Sequence, residues 1–328
     1  MINAASWLAR RRFYSFSYTL YRDCFEWREP EAWGGKRVIS RRYNPLLRHP
    51  HAFLLAMKND RPVARMLVGC VKGRGYFSMF DAEEDVEVVR RLMAEAASWQ
   101  KQHGVREMLG PIAPHPLDLG GGILIEGFDE RAAFCDAYNA PYYDQLLIDA
   151  GAVPFEEQLA YHVNRRRFDM EKYGRAASWA KKRFGYEVAE GVADNLRALN
   201  EAICQVMGEE ANPEGMACAI DAVRPYLLKE MCPFVCVDGK PVGYLLTIRS
   251  RYGIDGRTRF VTMWVHKAWR RKGVTALLFD AAARAMAELG IEEIDASWVQ
   301  SDNKASVQSI ENAGGQRIHR YRMYRVDI

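Results

Sequence analysis

Several features are scarce in this chain of 328 residues. It contains no run of about eighteen apolar residues, so no segment reads as membrane-spanning. Charge of one sign is not in excess: 46 Lys and Arg against 42 Asp and Glu leave a formal net charge of +4. That is less than a dedicated nucleic-acid binder carries, so phosphate is expected at a single site and no nucleic-acid partner is expected. Cysteine is sparse and odd in number, seven residues, and the nearest pair, Cys232-Pro-Phe-Val-Cys236, matches neither redox Cys-x-x-Cys spacing nor a complete zinc site. Reduced thiols in a cytoplasmic protein without a metal are therefore expected. At the N-terminus, Arg10-Arg11-Arg12 follows a very short apolar stretch, the reverse of a signal peptide. Apolar residues make up 49% of the chain, enough for two cores, so two domains are expected.

The most informative stretch begins at Phe260. Phe260 to Val265 is rich in β-branched and aromatic residues and reads as a strand. Beyond Gly273, Leu277, Leu278, Ala281, Ala282, Ala285, Met286 and Leu289 recur at helical spacing up to Gly290. A strand that passes through a basic turn into a helix aims backbone N–H groups at one point. With Arg270, Arg271 and Lys272 beside them, these donors suit a pyrophosphate.

The turn Arg270-Arg271-Lys272-Gly273-Val274-Thr275 resembles the Arg/Gln-x-x-Gly-x-Gly/Ala signature of the GNAT acyltransferase superfamily, with Thr275 at the usually small position and Ala276 after it. Farther on, Ile291 to Val299 reads as a strand, and Asp302 or Asn303 caps a helix that ends at Gly314-Gly315. Asn303, Ser306 and Gly314 match the next GNAT motif. Ile310 stands where many members carry a Tyr that protonates the leaving thiolate, and Gly315 where Phe is usual. The resemblance implies acetyl-CoA or a longer acyl-CoA bound by Val265, Arg270, Arg271, Lys272, Gly273, Val274, Thr275, Ala276 and Asn303. It also implies an α/β (α+β) fold with a mixed, mostly antiparallel sheet flanked by helices.

The chain also repeats itself. Ala56 to Ala64 lines up with Val235 to Gly243, an offset of 179 as from Pro62 to Pro241. The helix ending at Gly104-Val105 lines up with the one ending at Gly290-Ile291, an offset of 186. Leu147 to Gly151, with Tyr161 and Val163, precedes Ile310 to Gly314, with Tyr324 and Val326, by 163. Three blocks in one order indicate a duplicated unit, hence two tandem GNAT-like domains, residues 1–164 and 165–328. The 23 residues by which the last two offsets differ are assigned to the Pro- and Gly-rich stretch 111–128 of the first copy. At the position of the basic turn the first copy has Glu84, Asp85 and Glu87, preceded by Asp81 and Glu83, and no Gly. It is therefore expected to be cofactor-free, although Asp81 could also serve as a helix cap.

The aromatic run from Phe13 is expected to form the first strand and helix, with Trp27, Pro30 and Trp33 in a loop. Peripheral membrane contact through Trp7 and Arg10 to Arg12 is the alternative to core packing. A hairpin is expected from Ala52 to Val71 with its turn at Asn59-Asp60. Asn164 to Phe168 reads as an exposed linker, with a site for an acidic partner as the alternative, Asp169 to Ala193 as a polar strand and helix, Asn195 to Met207 as a helix, and Glu209 to Gly215 as a flexible bend, which the GNAT resemblance would place beside the acceptor pocket.

End to end, the text resembles a group of bacterial two-lobed GNAT proteins, through Gly110-Pro111, Glu126-Gly127-Phe128, Tyr138-Asn139-Ala-Pro141-Tyr142-Tyr143 and Ser297-Trp298-Val299 among others. Some such proteins are associated with N-acylation of long-chain amines, which would imply a fatty acyl-CoA donor. The resemblance implies a thioester lying between the strands ending at Val265 and Val299, its carbonyl polarised by a backbone N–H near Val265. His266 is a candidate base or an exposed turn residue, Asp302 an assisting acid or a cap, and Tyr321 or Tyr324 a candidate acid or packing. Tyr138, Asn139, Tyr142 and Trp298 are candidate acceptor contacts, the tyrosine cluster having packing as its alternative. The competing functions are an aminoacyl-tRNA-dependent transferase of tandem GNAT architecture and a non-catalytic CoA-binding protein. Neither the amine acceptor nor the oligomeric state is legible in the sequence.

Overall fold

The computed structural model describes all residues except 1, 5, 25, 26, 28–38, 42, 43, 115–120, 133, 190 and 250–257. Pro30, Trp33 and the centre of the stretch 111–128 therefore lie outside the described residues. In chain order the elements are β1 (Ile2–Asn3), α1 (Trp7–Leu20), β2 (His51–Lys58), β3 (Arg61–Val71), β4 (Arg74–Ala82), α2 (Val86–Gln102), β5 (Glu107–Ile112), β6 (Ile123–Glu126), α3 (Tyr143–Asp149) and β7 (Val153–Asn164). They continue with α4 (Met170–Phe184), β8 (Glu187–Ala189), α5 (Leu196–Met207), α6 (Pro213–Val223), β9 (Phe234–Val237), β10 (Lys240–Arg249), β11 (Thr258–Val265), α7 (Val274–Glu288), β12 (Glu293–Gln300), α8 (Lys304–Asn312) and β13 (Gly315–Asp327).

These elements form two compact units. One comprises Met1–Leu159, Gln300–Asp302 and Ile318–Ile328; the other comprises Ala160–Val299 and Asn303–Arg317. Ile318–Ile328 thus pack with the first unit, and Ala160–Asn164 with the second.

In the first unit the strand order is β1-β2-β3-β4-β5-β13, with β6 also on β13. The β4–β5 pair is parallel and the other described pairs are antiparallel. The β2–β3 hairpin turns at Asn59 and Asp60, both at positive φ, as a tight two-residue turn requires. The aromatic run is one helix, not a strand and helix: Ser6 caps α1 by accepting the Ala9 N–H, and Phe13, Phe16 and Ser17 recur at helical spacing on its buried face. Burying Phe13 and Phe16 contributes roughly 1.5–3 kcal/mol each. Asp81 is not a cap. It is buried on β4, where it pairs with Arg65 and accepts from Tyr21, whose hydroxyl also meets that of Tyr143.

In the second unit the order is β7-β12-β11-β10-β9-β8. The β11–β12 pair is parallel; β8–β9, β9–β10 and β10–β11 are antiparallel. The β9–β10 turn at Asp238 and Gly239 again uses two positive φ values, at the offset the sequence repeat requires. Gly151 after α3 and Gly314 after α8 match in the same way, with φ of 96° and 90°. The expected strand and helix after Asp169 occur in the opposite order, because the Asp169 side chain caps the Lys172 N–H and starts α4 at once. The expected linker is engaged: Arg165 and Arg166 both bond Glu292, at 2.5 and 3.0 Å. The expected bend is structured as well, since Asn212 accepts the Gly215 N–H and begins α6.

Candidate active site

The second unit opens between β11 and β12. Their ladder holds only Arg259 opposite Asp295 and Phe260 opposite Ala296, yet β11 runs on to Val265 and β12 to Gln300. From Phe260 to Val265 every β11 residue is half-exposed, as expected of an inner strand that has lost the neighbour on one edge. Along the other edge β11 pairs with β10, Tyr244 facing Trp264 and Gly243 facing Val265. The His266 N–H bonds the Val242 carbonyl at 2.9 Å, which fixes the alternation of the ladder. The N–H groups of Met263 and Val265 therefore point away from β10, toward the side β12 has left.

Arg259 stabilises the point of parting. It is fully buried, and its Nε and Nη2 donate to the Ser297 carbonyl at 3.2 and 2.9 Å. Ser297 is the first β12 residue beyond the ladder, so the guanidinium supplies the donors that a paired strand would have given. Asp295, also buried, lies opposite Arg259 and receives His162 Nδ1 at 3.3 Å; Glu293 is 3.4 Å from the other ring nitrogen. The hydrogen bond to Asp295 chiefly raises the His162 pKa, with partial burial opposing it.

Past Val265, the chain makes one 3-10 turn over Lys267–Trp269 before reaching the basic residues. Arg270 folds back, its Nε donating to the Val265 carbonyl at 3.2 Å and its guanidinium lying 5.8 Å from the Trp264 ring. Arg271 and Gly273 both take positive φ, 61° and 86°. Lys272 stands over Trp269 at 5.1 Å. Gly273 caps α7 with no side chain, and the first amides bonded to its carbonyl are those of Ala276 and Leu277. The N–H groups of Val274 and Thr275 thus have no acceptor within the helix, and they lie at the positive end of fifteen residues of helix. Glycine is required here twice over: for its φ, and because a Cβ would stand 2.5 Å from the Cβ of Ala180 on α4. Gly243 permits a second close approach, since a Cβ there would lie 2.5 Å from Val274 Cγ1.

The corresponding helix of the first unit is closed. Asp85 caps α2 by accepting the Val88 N–H at 3.2 Å, and Lys58 reaches its carboxylate at 3.3 Å. The Val88 amide is the main cause that holds the Asp85 pKa below its ordinary value.

The other expected residues fall in distinct settings. His266 is half-exposed; its Nδ1 accepts the Ala268 N–H at 3.3 Å, and a Cβ on Gly208 would lie 4.0 Å from Nε2. Asn303, not Asp302, caps α8 by accepting the Ser306 N–H at 3.2 Å, and Asp302 is exposed in the preceding turn. Trp298 is half-buried on the part of β12 beyond the ladder. Tyr321 is fully buried in the first unit, its ring 5.9 Å from that of His319. Tyr324, in the same unit, donates to Asp144, and burial pushes its pKa well up. Tyr138, Asn139 and Tyr142 also belong to the first unit. The Tyr138 hydroxyl donates to the Phe128 carbonyl at 3.3 Å and that of Tyr142 to the Ala82 carbonyl at 2.8 Å. Buried Asn139 clamps both backbone groups of Leu124. Burial moves the Tyr142 pKa up to about 12.

Sequence reasoning missed Arg259, Gly243 and Ala180. The signal for Arg259 was a lone cation in the strand text Thr258-Arg-Phe-Val-Thr-Met-Trp-Val; the two small residues carry no signal without their neighbours.

Residues 196–314 match the acetyltransferase (GNAT) family. Among curated proteins, the chain is similar to Protein YghO of Escherichia coli (strain K12), 22% identical over 78% of this chain and 75% of that protein. Among solved structures it is similar to a tandem GNAT protein from the clavulanic acid biosynthesis pathway, with a TM-score of 0.60, 12% identity, and 99% of this chain and 97% of that one covered. A GCN5-related N-acetyltransferase from Sphaerobacter thermophilus gives a TM-score of 0.54 at 14% identity, over 85% of this chain and 81% of that one. The match to the GNAT family is thus confined to residues 196–314, while along its length the chain has the fold of a tandem GNAT protein.

Proposed function

We propose that this protein is a CoA-dependent N-acyltransferase that binds acyl-CoA in its second unit and passes the acyl group to an amine, the first unit remaining cofactor-free. The observation that carries this reading is the contrast between two equivalent helix N-termini. That of α7 has Gly273, unshared amides and three adjacent cations; that of α2 is filled by its own Asp85. The residues present at α7 fit a pyrophosphate, because glycine leaves room and the dipole favours negative charge.

In this reading Arg271, Lys272 and the amides of Val274 and Thr275 hold the diphosphate. The open edge of β11 receives the donor's extended arm, and the Val265 N–H polarises the thioester carbonyl. The amine attacks that carbonyl, forming the C–N bond as the C–S bond breaks and losing its proton to water. Holding the reactants together supplies much of the rate. All seven cysteines are thiols, which fits a reducing compartment, and we place the reaction in the cytoplasm. Among the described residues, no helix is long and apolar enough to cross a membrane.

A second reading, a CoA-binding protein without transferase activity, is favoured by one observation. Ile310 stands where a tyrosine acid is usual and packs on Gly315, where a Cβ would lie 2.6 Å from its Cγ2. Calorimetric titration with acetyl-CoA and palmitoyl-CoA, on wild type and on Gly273→Glu, tests both. Binding that the variant abolishes, together with transfer to an amine, supports the enzyme; binding without transfer across a panel of amines selects the second reading; no binding of either donor removes both.

A further inference from the structure

Among the described residues, the three most exposed large apolar side chains are Trp7 (74%), Trp179 (61%) and Leu8 (56%), and each sits on a helix beside cations. Trp179 lies on α4. The inner face of that helix, Tyr173, Ala177, Ala180 and Phe184, is packed into the core of the second unit. On the outer side, Lys172, Arg175, Trp179, Lys182 and Arg183 follow one another at i, i+3, i+7, i+10 and i+11, which is one face of a helix. Glu171 pairs with Arg175. Among the described residues, Lys172, Lys182 and Arg183 meet no carboxylate at ion-pair distance.

We propose that this face of α4 docks on an anionic lipid bilayer. The cations extend from Lys172 to Arg183, about 16 Å of helix, too far for one bound phosphate but matched to a layer of headgroups. The tryptophan at the centre of the stripe favours the same partner. An amphipathic ring with its edge in water and its face in the acyl boundary is the usual occupant of a bilayer interface. A free phosphate would leave that ring exposed, and the modest net charge of +4 disfavours nucleic acid. The same chemistry recurs independently on α1 of the first unit, where Trp7 and Leu8 project from the first turn and Arg11 lies 5.7 Å from the Trp7 ring.

The test is flotation of the purified full chain with phosphatidylglycerol-containing vesicles and with phosphatidylcholine vesicles, without acyl donor or acceptor, so the outcome is independent of the acyl-CoA reading. Binding is expected to the anionic vesicles only and to weaken with salt. Lys182→Glu/Arg183→Glu should reduce it at least about 25-fold and flatten its salt dependence, at about fivefold for each cation lost. Trp179→Ala should weaken binding at every salt concentration. All three positions are exposed, so an unchanged melting temperature serves as the control for folding. Failure to bind anionic vesicles overturns the proposal, as does equal binding to both vesicle types or binding that the variants leave intact. Retention on RNA or on an acidic protein with no vesicle binding overturns it in favour of that partner.

Discussion

Replacing Gly273 with alanine tests the site with a single methyl group. The backbone there has φ of +86°, a left-handed conformation that costs a non-glycine residue roughly 1–2 kcal/mol. The added Cβ would also stand 2.5 Å from the Cβ of Ala180, and neither atom is at the end of a flexible side chain. Relief requires α4 and α7 to separate, an overpacking cost of about 1–3 kcal/mol. Together these predict a loss of about 2–5 kcal/mol, or at least about 4 °C in melting temperature for a unit of this size. Acetyl-CoA affinity should fall more than about tenfold, since the amides of Val274 and Thr275 are the groups displaced. Thermal melts and calorimetry on Gly273→Ala, Ala180→Gly and the double variant separate the contributions: Ala180→Gly should recover the packing part of the loss in the double variant but not the backbone part. A Gly273→Ala protein with wild-type melting temperature and affinity would refute the reasoning. Lost stability with intact affinity would show that the glycine serves packing alone.

Other predictions follow from the same geometry. Arg259→Met leaves the buried Ser297 carbonyl without these charge-assisted donors, so urea titration should show a loss of about 1.5–3 kcal/mol, with Arg259→Lys in between. Asp85→Ala should cost about 1 kcal/mol as a lost cap. Because the folded pKa of Asp85 is depressed, that difference is present above the unfolded value near 4 and shrinks as pH falls through the folded one. His162 has the opposite sign: its folded pKa is raised, so its contribution is fully present below about pH 6.5 and lost as pH rises through the folded value. Comparison of His162→Asn with wild type at pH 5.5 and 8.5 should therefore show the larger destabilisation at the acidic end.

Local chemistry made the motifs of the second unit legible. Strand, basic turn, Gly273 and amphipathic helix read directly from residues 260–289, and the paired hairpin turns at Asn59-Asp60 and Asp238-Gly239 exposed the repeat. What was illegible depended on partners distant in sequence. The aromatic run at Phe13 suits a strand by propensity, but Ser6 and the spacing of Phe13, Phe16 and Ser17 make it a helix. Asp302 and Asn303 are both plausible caps by type, and only backbone direction selects Asn303. The cluster at Tyr138 to Tyr143 looked like a binding wall because it is polar and aromatic. In the fold those polar atoms serve Leu124, Phe128, Ala82 and Asp81 within the first unit. Arg259 was the hardest to foresee, since its role is set by a carbonyl 38 residues away.

His266 illustrates how a well-placed residue can have its chemistry already committed. It follows the open strand directly, where a base for the amine would be wanted. Its Nδ1, however, accepts the Ala268 N–H, so the neutral ring carries its proton on Nε2 and offers no lone pair there. Taking a proton would mean either protonating Nδ1 and breaking the cap, or shifting the tautomer with the same loss. A general base ordinarily supplies about 10²–10⁴ in rate. If His266 is instead a turn-forming residue, His266→Asn, which keeps a side-chain acceptor for the Ala268 amide, should hold kcat within about tenfold and leave the pH profile unchanged. His266→Ala should show a somewhat lower melting temperature from the lost cap. A hundredfold fall in kcat for the Asn variant, with loss of the ascending limb of the pH profile, would assign the proton to His266 and would require the ring to turn during the reaction.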